Sequence, residues 1–241
     1  MTTQPAGRFL TARWQRLAMI NYEVDPAILQ ARVPRGTELD TWNGRCLVSL
    51  VGFQFLDTRV LGVAVPFHRN FVEVNLRFYV RRSVAGELRR GVVFVKELVP
   101  RRALAWVANV VYNESYVALP MSSTDTGERV TYSWQHRGRA HTMGLSITGD
   151  SYRPSADSEE CFITEHYWGY VTQRDGSTVE YRVEHPPWRV WRGREPSFEC
   201  DVASLYGAEF AAGLQGAPAS CFLADGSEIV VRKGVNLGHP S

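Results

Sequence analysis

The sequence predicts one β-rich α+β domain: an antiparallel sheet, closed or nearly closed into a barrel, with short helices packed outside it. Three observations carry this expectation. Stretches with apolar residues at every second position recur along the chain, bounded by turn residues. Helix-opening signals are few and short. No change of composition, internal repeat or low-complexity run marks a linker within the 241 residues.

Residues 1–7 read as a frayed terminus and 236–241 as a polar tail, which leaves 8–235 as the domain. In residues 8–22 a strand is expected in the second half. Asp25-Pro26 opens a short helix, with Asp as N-cap and Pro at the first helical position, and Val33-Pro34 ends it. After the Arg35-Gly36 turn, residues 38–41 look extended, Asn43-Gly44 is a hairpin signal, and 45–55 is a strand. Residues 57–70 hold Gly62 and Pro66 and read as a loop over one barrel mouth.

The chain is organised around residues 71–112. Val72, Val74, Leu76, Phe78 and Val80 fall on one face of a strand, and Glu73, Asn75, Arg77 and Arg81 on the other. A turn at Ala85-Gly86-Glu87 leads to a second strand over 91–98, and Pro100 starts an apolar helix headed by Arg101-Arg102. Beyond it, 114–121 returns extended, and 129–137 with 140–148 form a hairpin around Gly138. Asp157 or Ser158, followed by Glu159-Glu160, caps a helix. Strands follow in the second half of the 165–173 stretch, over 178–185 and over 188–192; 201–212 is a modest helix and 227–233 a last strand. The whole amounts to roughly nine strands and three or four short helices.

Composition narrows the function classes. Net charge of +2 excludes the basic footprint of a nucleic-acid binder, and no run approaches the ~18 apolar residues of a membrane span. Without an apolar leader-like segment, and with Cys46, Cys161, Cys200 and Cys221 scattered singly, the expectation is a cytoplasmic protein with reduced cysteines. No histidine spacing suggests a metal; His136 and His141, flanking a turn, come nearest. Nucleotide-binding glycine motifs and G-x-S-x-G are missing, so no cofactor is expected. Lysine chemistry has two candidates only, Lys96 and Lys233.

Strict alternation places Lys96 beside Phe94 and Leu98, where apolar surroundings would lower its proton affinity and make it a nucleophile. Set against this is a packed stem with its ammonium in solvent. Glu73, Asn75 and Arg77 would bind a carboxylate or carbonyl compound and supply acid or base if their face is a lumen, and form a solvated face if it is not. Glu97 is a further acid/base candidate, and His68 a loop residue at the barrel mouth. Glu165-His166 and Glu184-His185 do not work as local dyads, since adjacent strand residues point to opposite faces, and are read as structural.

The segments ARWQRLAMINYEVDP, RVPRGTELDTWNGRCLVSLVGFQF, FVEVNLRFYVRR, VVFVKELVPRRALA, FITEHYWGY and VEHPPW, in this order, resemble the YqjF-like family, from about Ala12 to Val235. That family is distantly similar to acetoacetate decarboxylase, which implies its barrel around a small-molecule cavity. In those decarboxylases a segment like R-E-L-x-x-Y-P-K-K supplies an imine-forming lysine and a second lysine that lowers its pKa. Here the matching positions hold Arg101 and Arg102, and a guanidinium forms no imine. The resemblance therefore implies a Schiff base only if Lys96 reaches the cavity; Arg101 would otherwise bind a substrate carboxylate.

Two functions are carried forward. One is a lyase-like enzyme on a small carbonyl or carboxylate compound, with Lys96, Glu73 and Glu97 as catalytic residues and Asn75, Arg77, Arg101 and His68 as binding residues. The other is a non-catalytic small-molecule-binding barrel. A homo-oligomer is compatible with either.

Overall fold

A computed structural model describes residues 7–64, 69–100 and 115–238. The described strands, in chain order, are β1 (Arg8–Glu23), β2 (Glu38–Leu39), β3 (Leu47–Val60), β4 (Val63–Ala64), β5 (Phe71–Val84), β6 (Glu87–Val99), β7 (Tyr116–Ala118), β8 (Met121–Asp125), β9 (Arg129–His136), β10 (Arg139–Tyr152), β11 (Trp168–Thr172), β12 (Thr178–Glu184), β13 (Val190–Glu199), β14 (Ser220–Arg232) and β15 (Val235–Asn236). Among the described residues four short helices accompany them: α1 (Ala27–Gln30), α2 (Glu159–Thr164), α3 (Val202–Leu205) and α4 (Ala211–Gln215).

All the strands belong to one sheet. Its pairings make a circuit: β14 to β1, β3, β5 and β6, across to β11 and β12, and from β12 back to β14. Most pairings are antiparallel; β6 pairs in parallel with β11 and β7. Long β14 serves two neighbours along one side, with β13 at residues 222–224 and β12 at 230–231. From β13 the sheet continues through β10 and β9 to β8.

Two apolar clusters follow from this path. One lies outside the circuit, where Leu50, Leu76, Phe78 and Leu98 pack against Tyr132, Trp134 and Met143 of β9 and β10 and against Val202, Leu205 and Phe210. The other lies inside it, built on Leu17, Val51, Phe53, Phe55, Tyr79 and Phe162. Both faces of β5 are therefore buried, in keeping with its long run of apolar residues. Gly52 permits the outer packing: a Cβ there would stand 2.4 Å from the ring of Tyr132.

Several expected elements are longer than the sequence suggests. β1 is a strand from Arg8 onward, and β3 runs to Val60, so part of the expected 57–70 loop is a hairpin with β4. Ladder pairing on both sides overrides weak local signals in these stretches. The modest helix over 201–212 is broken into α3, a 3₁₀ turn at Ala208–Phe210 and α4, because Gly207 takes a φ of 117° between them. Ser158 caps α2 as expected, accepting from Cys161 N at 3.1 Å, whereas α1 opens one residue later than expected, with Pro26 at the N-cap and Asp25 accepting from Ala27 N at 2.8 Å in the turn before it. The expected helix after Pro100 lies outside the described residues, as do Arg101, Arg102 and His68.

Candidate functional site

The circuit encloses a cavity of about 220 Å³. One wall comes from β5 and β6 and carries the polar groups, Glu73, Asn75, Arg77 and Glu97. They are 2%, 1%, 8% and 2% exposed, so the polar face of β5 is a lumen and not a solvated surface. The facing wall is apolar and aromatic, with Trp14 and Leu17 of β1, Val231 of β14 and Trp188 ahead of β13. Thr164 and His166, at and just beyond the end of α2, and His185, just after β12, also line it.

A β-bulge decides which charged residue of β6 faces inward. Val92, Phe94, Glu97 and Val99 line the cavity, while Val93, Val95 and Leu98 belong to the outer cluster. Two residues, Val95 and Lys96, thus separate the inward Phe94 and Glu97 where strict alternation allows one. The register shows the same slip: Leu76 pairs with Lys96 and Arg77 with Phe94, leaving Val95 without a partner. Lys96 consequently shares the outer side with Leu76 and Leu98, half-buried there. Burial and the neighbouring Arg32 lower its pKa. It does not line the cavity, and neither does Lys233. The expected grouping of Lys96 with Phe94 is corrected in this way.

Asn75 Nδ2 donates to Glu73 Oε1 at 3.0 Å, and Asn75 is opposite Glu97 in the β5–β6 ladder. Arg77 donates from Nη2 to the carbonyl of Ile163 at 3.3 Å, and its guanidinium carbon lies 5.8 Å from the Tyr79 ring centroid. Its Nε has no hydrogen-bond partner and no carboxylate forms an ion pair with it among the described residues. A guanidinium held this deep in a cavity wall without an ion-pair partner among the described residues is costly, and its N–H groups are ready donors to an anion.

The sequence pairs His166 with Glu165 and His185 with Glu184 and predicts structural roles for both histidines. Glu165 is turned to Tyr167 and Glu184 to Arg232, so neither local dyad exists. His166 instead lies with Nε2 3.2 Å from Asp40 Oδ2, and Arg90 Nε lies 2.7 Å from the same oxygen. Burial, with Arg90 and Arg77 nearby, pushes the His166 pKa down to about 4 despite Asp40. Burial raises the Asp40 pKa, but the hydrogen bonds from His166 and Arg90 outweigh it and hold the carboxyl below its ordinary value. His166 is therefore neutral near pH 7, with its proton on Nε2 toward Asp40 and a lone pair on Nδ1. His185 stacks on Trp188 at 4.1 Å, approaches the Pro186 carbonyl at 3.0 Å, and is likewise lowered to about 4 by burial and Arg77. Asp40 carries no local sequence signal for this role; only the fold brings it to His166.

A family model described as DUF2071, uncharacterized conserved protein, matches residues 11–228. The chain belongs to this family. Protein YqjF of Bacillus subtilis (strain 168), described as uncharacterized, is 28% identical over 183 residues, covering 73% of this chain and 72% of that protein. The DUF2071 chain also resembles acetoacetate decarboxylase from Legionella pneumophila, with a TM-score of 0.68 at 14% identity over 99% of this chain and 90% of that one. The enduracididine biosynthesis enzyme MppR, complexed with the condensation product of pyruvate and imidazole 4-carboxaldehyde, gives 0.68 at 15% identity, covering 100% and 92%. An acetoacetate decarboxylase-like enzyme from Sphingomonas wittichii RW1 gives 0.64 at 16%, covering 96% and 94%. At these identities the likeness is one of fold: strand-rich, on a single sheet, with few helices.

No helix among the described residues is long and apolar enough to cross a membrane. The four cysteines are free.

Proposed function

We propose that the chain is an enzyme acting on a small carboxylate that carries a carbonyl group, bound in the cavity of a barrel formed by the strand circuit. Arg77 carries this reading. It is a buried cation on a cavity wall with no carboxylate partner among the described residues, so a substrate carboxylate would supply the missing charge. Glu73 and Glu97 serve as acid and base on the same wall, and Asn75 orients Glu73 through its side-chain amide. Two carboxylates brought together on one cavity wall could act as an acid and a base, which favours turnover over binding alone. A carbonyl compound also suits the neighbours of like fold, one of which is an acetoacetate decarboxylase and another is complexed with a pyruvate condensation product.

The chemistry of this proposal is acid–base, without a Schiff base, because neither lysine of the chain lines the cavity. One glutamate removes a proton from the substrate and the other, protonated, returns one to the oxygen or carbon where charge develops. The test is calorimetric titration and NMR-followed turnover with a panel of 2-oxo and 3-oxo acids. Arg77→Met should weaken binding at least tenfold, whereas Glu73→Gln and Glu97→Gln should retain binding and lose turnover. An affinity unchanged in Arg77→Met would overturn the assignment. Binding without turnover of any acid would leave the non-catalytic reading in its place.

A further inference from the structure

His185 follows β12 and lines the same cavity as Arg77. Three contacts fix its ring. Trp188 stacks on it at 4.1 Å, and Tyr167 lies 4.7 Å away at a tilt of 38°. Trp188 is itself anchored, its Nε1 donating to Ser227 Oγ at 2.9 Å. The third contact, between His185 Nδ1 and the Pro186 carbonyl at 3.0 Å, decides the tautomer. A carbonyl only accepts, so Nδ1 carries the proton and the neutral ring has its lone pair on Nε2. Burial and the charge of Arg77 keep the ring neutral near pH 7. Among the described residues nothing donates to Nε2. With Trp188 across one face and Nδ1 turned to its own backbone, the edge that carries Nε2 is the part of the ring left to border the cavity.

We infer that His185 is a binding residue whose Nε2 accepts a hydrogen bond from a hydroxyl group of the ligand, which is therefore a hydroxylated carboxylate. This rests on the proposed binding of a carboxylate at Arg77. A carboxylate or carbonyl oxygen alone brings no donor and leaves the lone pair of Nε2 unmatched. An ammonium group brings donors, but Arg77 disfavours positive charge on His185, and an ammonium bound beside it meets the same field. A hydroxyl donates without charge. Together with the carbonyl group of the proposed substrate, this makes the ligand a hydroxylated oxo acid. Arg77 selects for the anion and His185 for the hydroxyl. A site that hydrogen-bonds a hydroxyl rejects the analogue lacking it, because the protein group is then left without its partner.

The probes are hydroxy acids paired with acids that lack the hydroxyl: lactate and 3-hydroxypropionate against propionate, and 4-hydroxybutyrate against butyrate. The series moves the hydroxyl away from the carboxylate step by step. Affinities are measured by calorimetry on the full chain. At least one hydroxy acid should bind at least tenfold more tightly than its partner acid. His185→Phe, which keeps a ring against Trp188 and removes both nitrogens, should narrow that ratio at least threefold. In the parent protein, long-range proton–nitrogen NMR should show the His185 Nε2 resonance moving with that hydroxy acid and staying in place with its partner. This second readout does not depend on the variant folding. Equal affinity within every pair, with all the acids weakened in Arg77→Met, would overturn the hydroxyl contact and leave the carboxylate reading standing. A hydroxyl preference that persists in folded His185→Phe would overturn the role of His185. Affinities unchanged in Arg77→Met would overturn the carboxylate at Arg77 and this inference with it. No binding of any of the acids would overturn both.

Discussion

His166 Nε2 and Asp40 Oδ2 are 3.2 Å apart although 126 positions separate the two residues in sequence, and both side chains are almost wholly buried. Asp40 is the shared acceptor for His166 and for Arg90, so it ties the segment after β2 to β6 and to the chain leaving α2. Removing it leaves two donors without their acceptor. Asp40→Ala should cost roughly 2–4 kcal/mol, less than a fully buried pair because part of Arg90 reaches solvent. Urea unfolding monitored by tryptophan fluorescence measures this, and a loss below about 0.5 kcal/mol would mean that the contact adds little.

The neutral histidines of the cavity make stability depend on pH. His166 and His185 have folded-state pKa values of about 4 against an ordinary 6.5. Between those values the unfolded chain binds protons that the folded chain does not, so unfolding takes up protons and stability falls as the pH drops. The loss is on the order of 3 kcal/mol for His166, and smaller for the half-buried His185, and it levels off below about pH 4. Asp40, held below its ordinary range, adds its own loss only at lower pH. Melting curves from pH 7 to pH 4 should show the decline, and His166→Gln should flatten it. A melting temperature independent of pH across this window would refute the assignment of neutral, buried imidazoles.

Arg77 sets binding against stability. In the ligand-free protein its charge is desolvated, and among the described residues it meets one backbone carbonyl and the face of Tyr79. Arg77→Met keeps the apolar stem and removes the charge, so the variant should be more stable by about 1–3 kcal/mol in the absence of ligand. Differential scanning calorimetry of the two ligand-free proteins makes the comparison. A clearly less stable variant would show that Arg77 is held for structural reasons.

How much of this was legible in the sequence differs between β5 and β6. β5 keeps a strict two-residue period with no glycine or break, so the grouping of Glu73, Asn75 and Arg77 on one face could be read directly, and the structure gives that face to the cavity. Whether it met water or a lumen could not be read, because the same alternation serves both; the apolar face of β5 is covered by β9 and β10, which lie far along the chain. β6 carries a bulge that no residue type announces. Phe94, Val95, Lys96 and Glu97 are all compatible with a plain strand, and only the pairing with Leu76 and Arg77 reveals the slip. The Asp40–His166 contact was hidden for a related reason, as sequence reasoning pairs near neighbours whereas tertiary pairing joined distant segments.

The bulge makes a direct prediction about Lys96. By turning Glu97 inward and Lys96 outward, it exchanges an amine for a carboxylate on the cavity wall. The lowered pKa of Lys96 comes from burial and from Arg32, that is, from surroundings on the outer side of the sheet, so an activated amine here does not imply an amine that meets the cavity ligand. Incubation with the panel of 2-oxo and 3-oxo acids, reduction with borohydride and peptide mass spectrometry should therefore find no saturable adduct on Lys96. Lys96→Met should bind any acid of that panel that the parent chain binds within twofold of the parent, and relief of the repulsion from Arg32 should leave its stability equal or slightly higher. A saturable Lys96 adduct that disappears on denaturation would restore imine chemistry, and would require the strand to bring Lys96 to the lumen by a register other than the one that pairs it with Leu76.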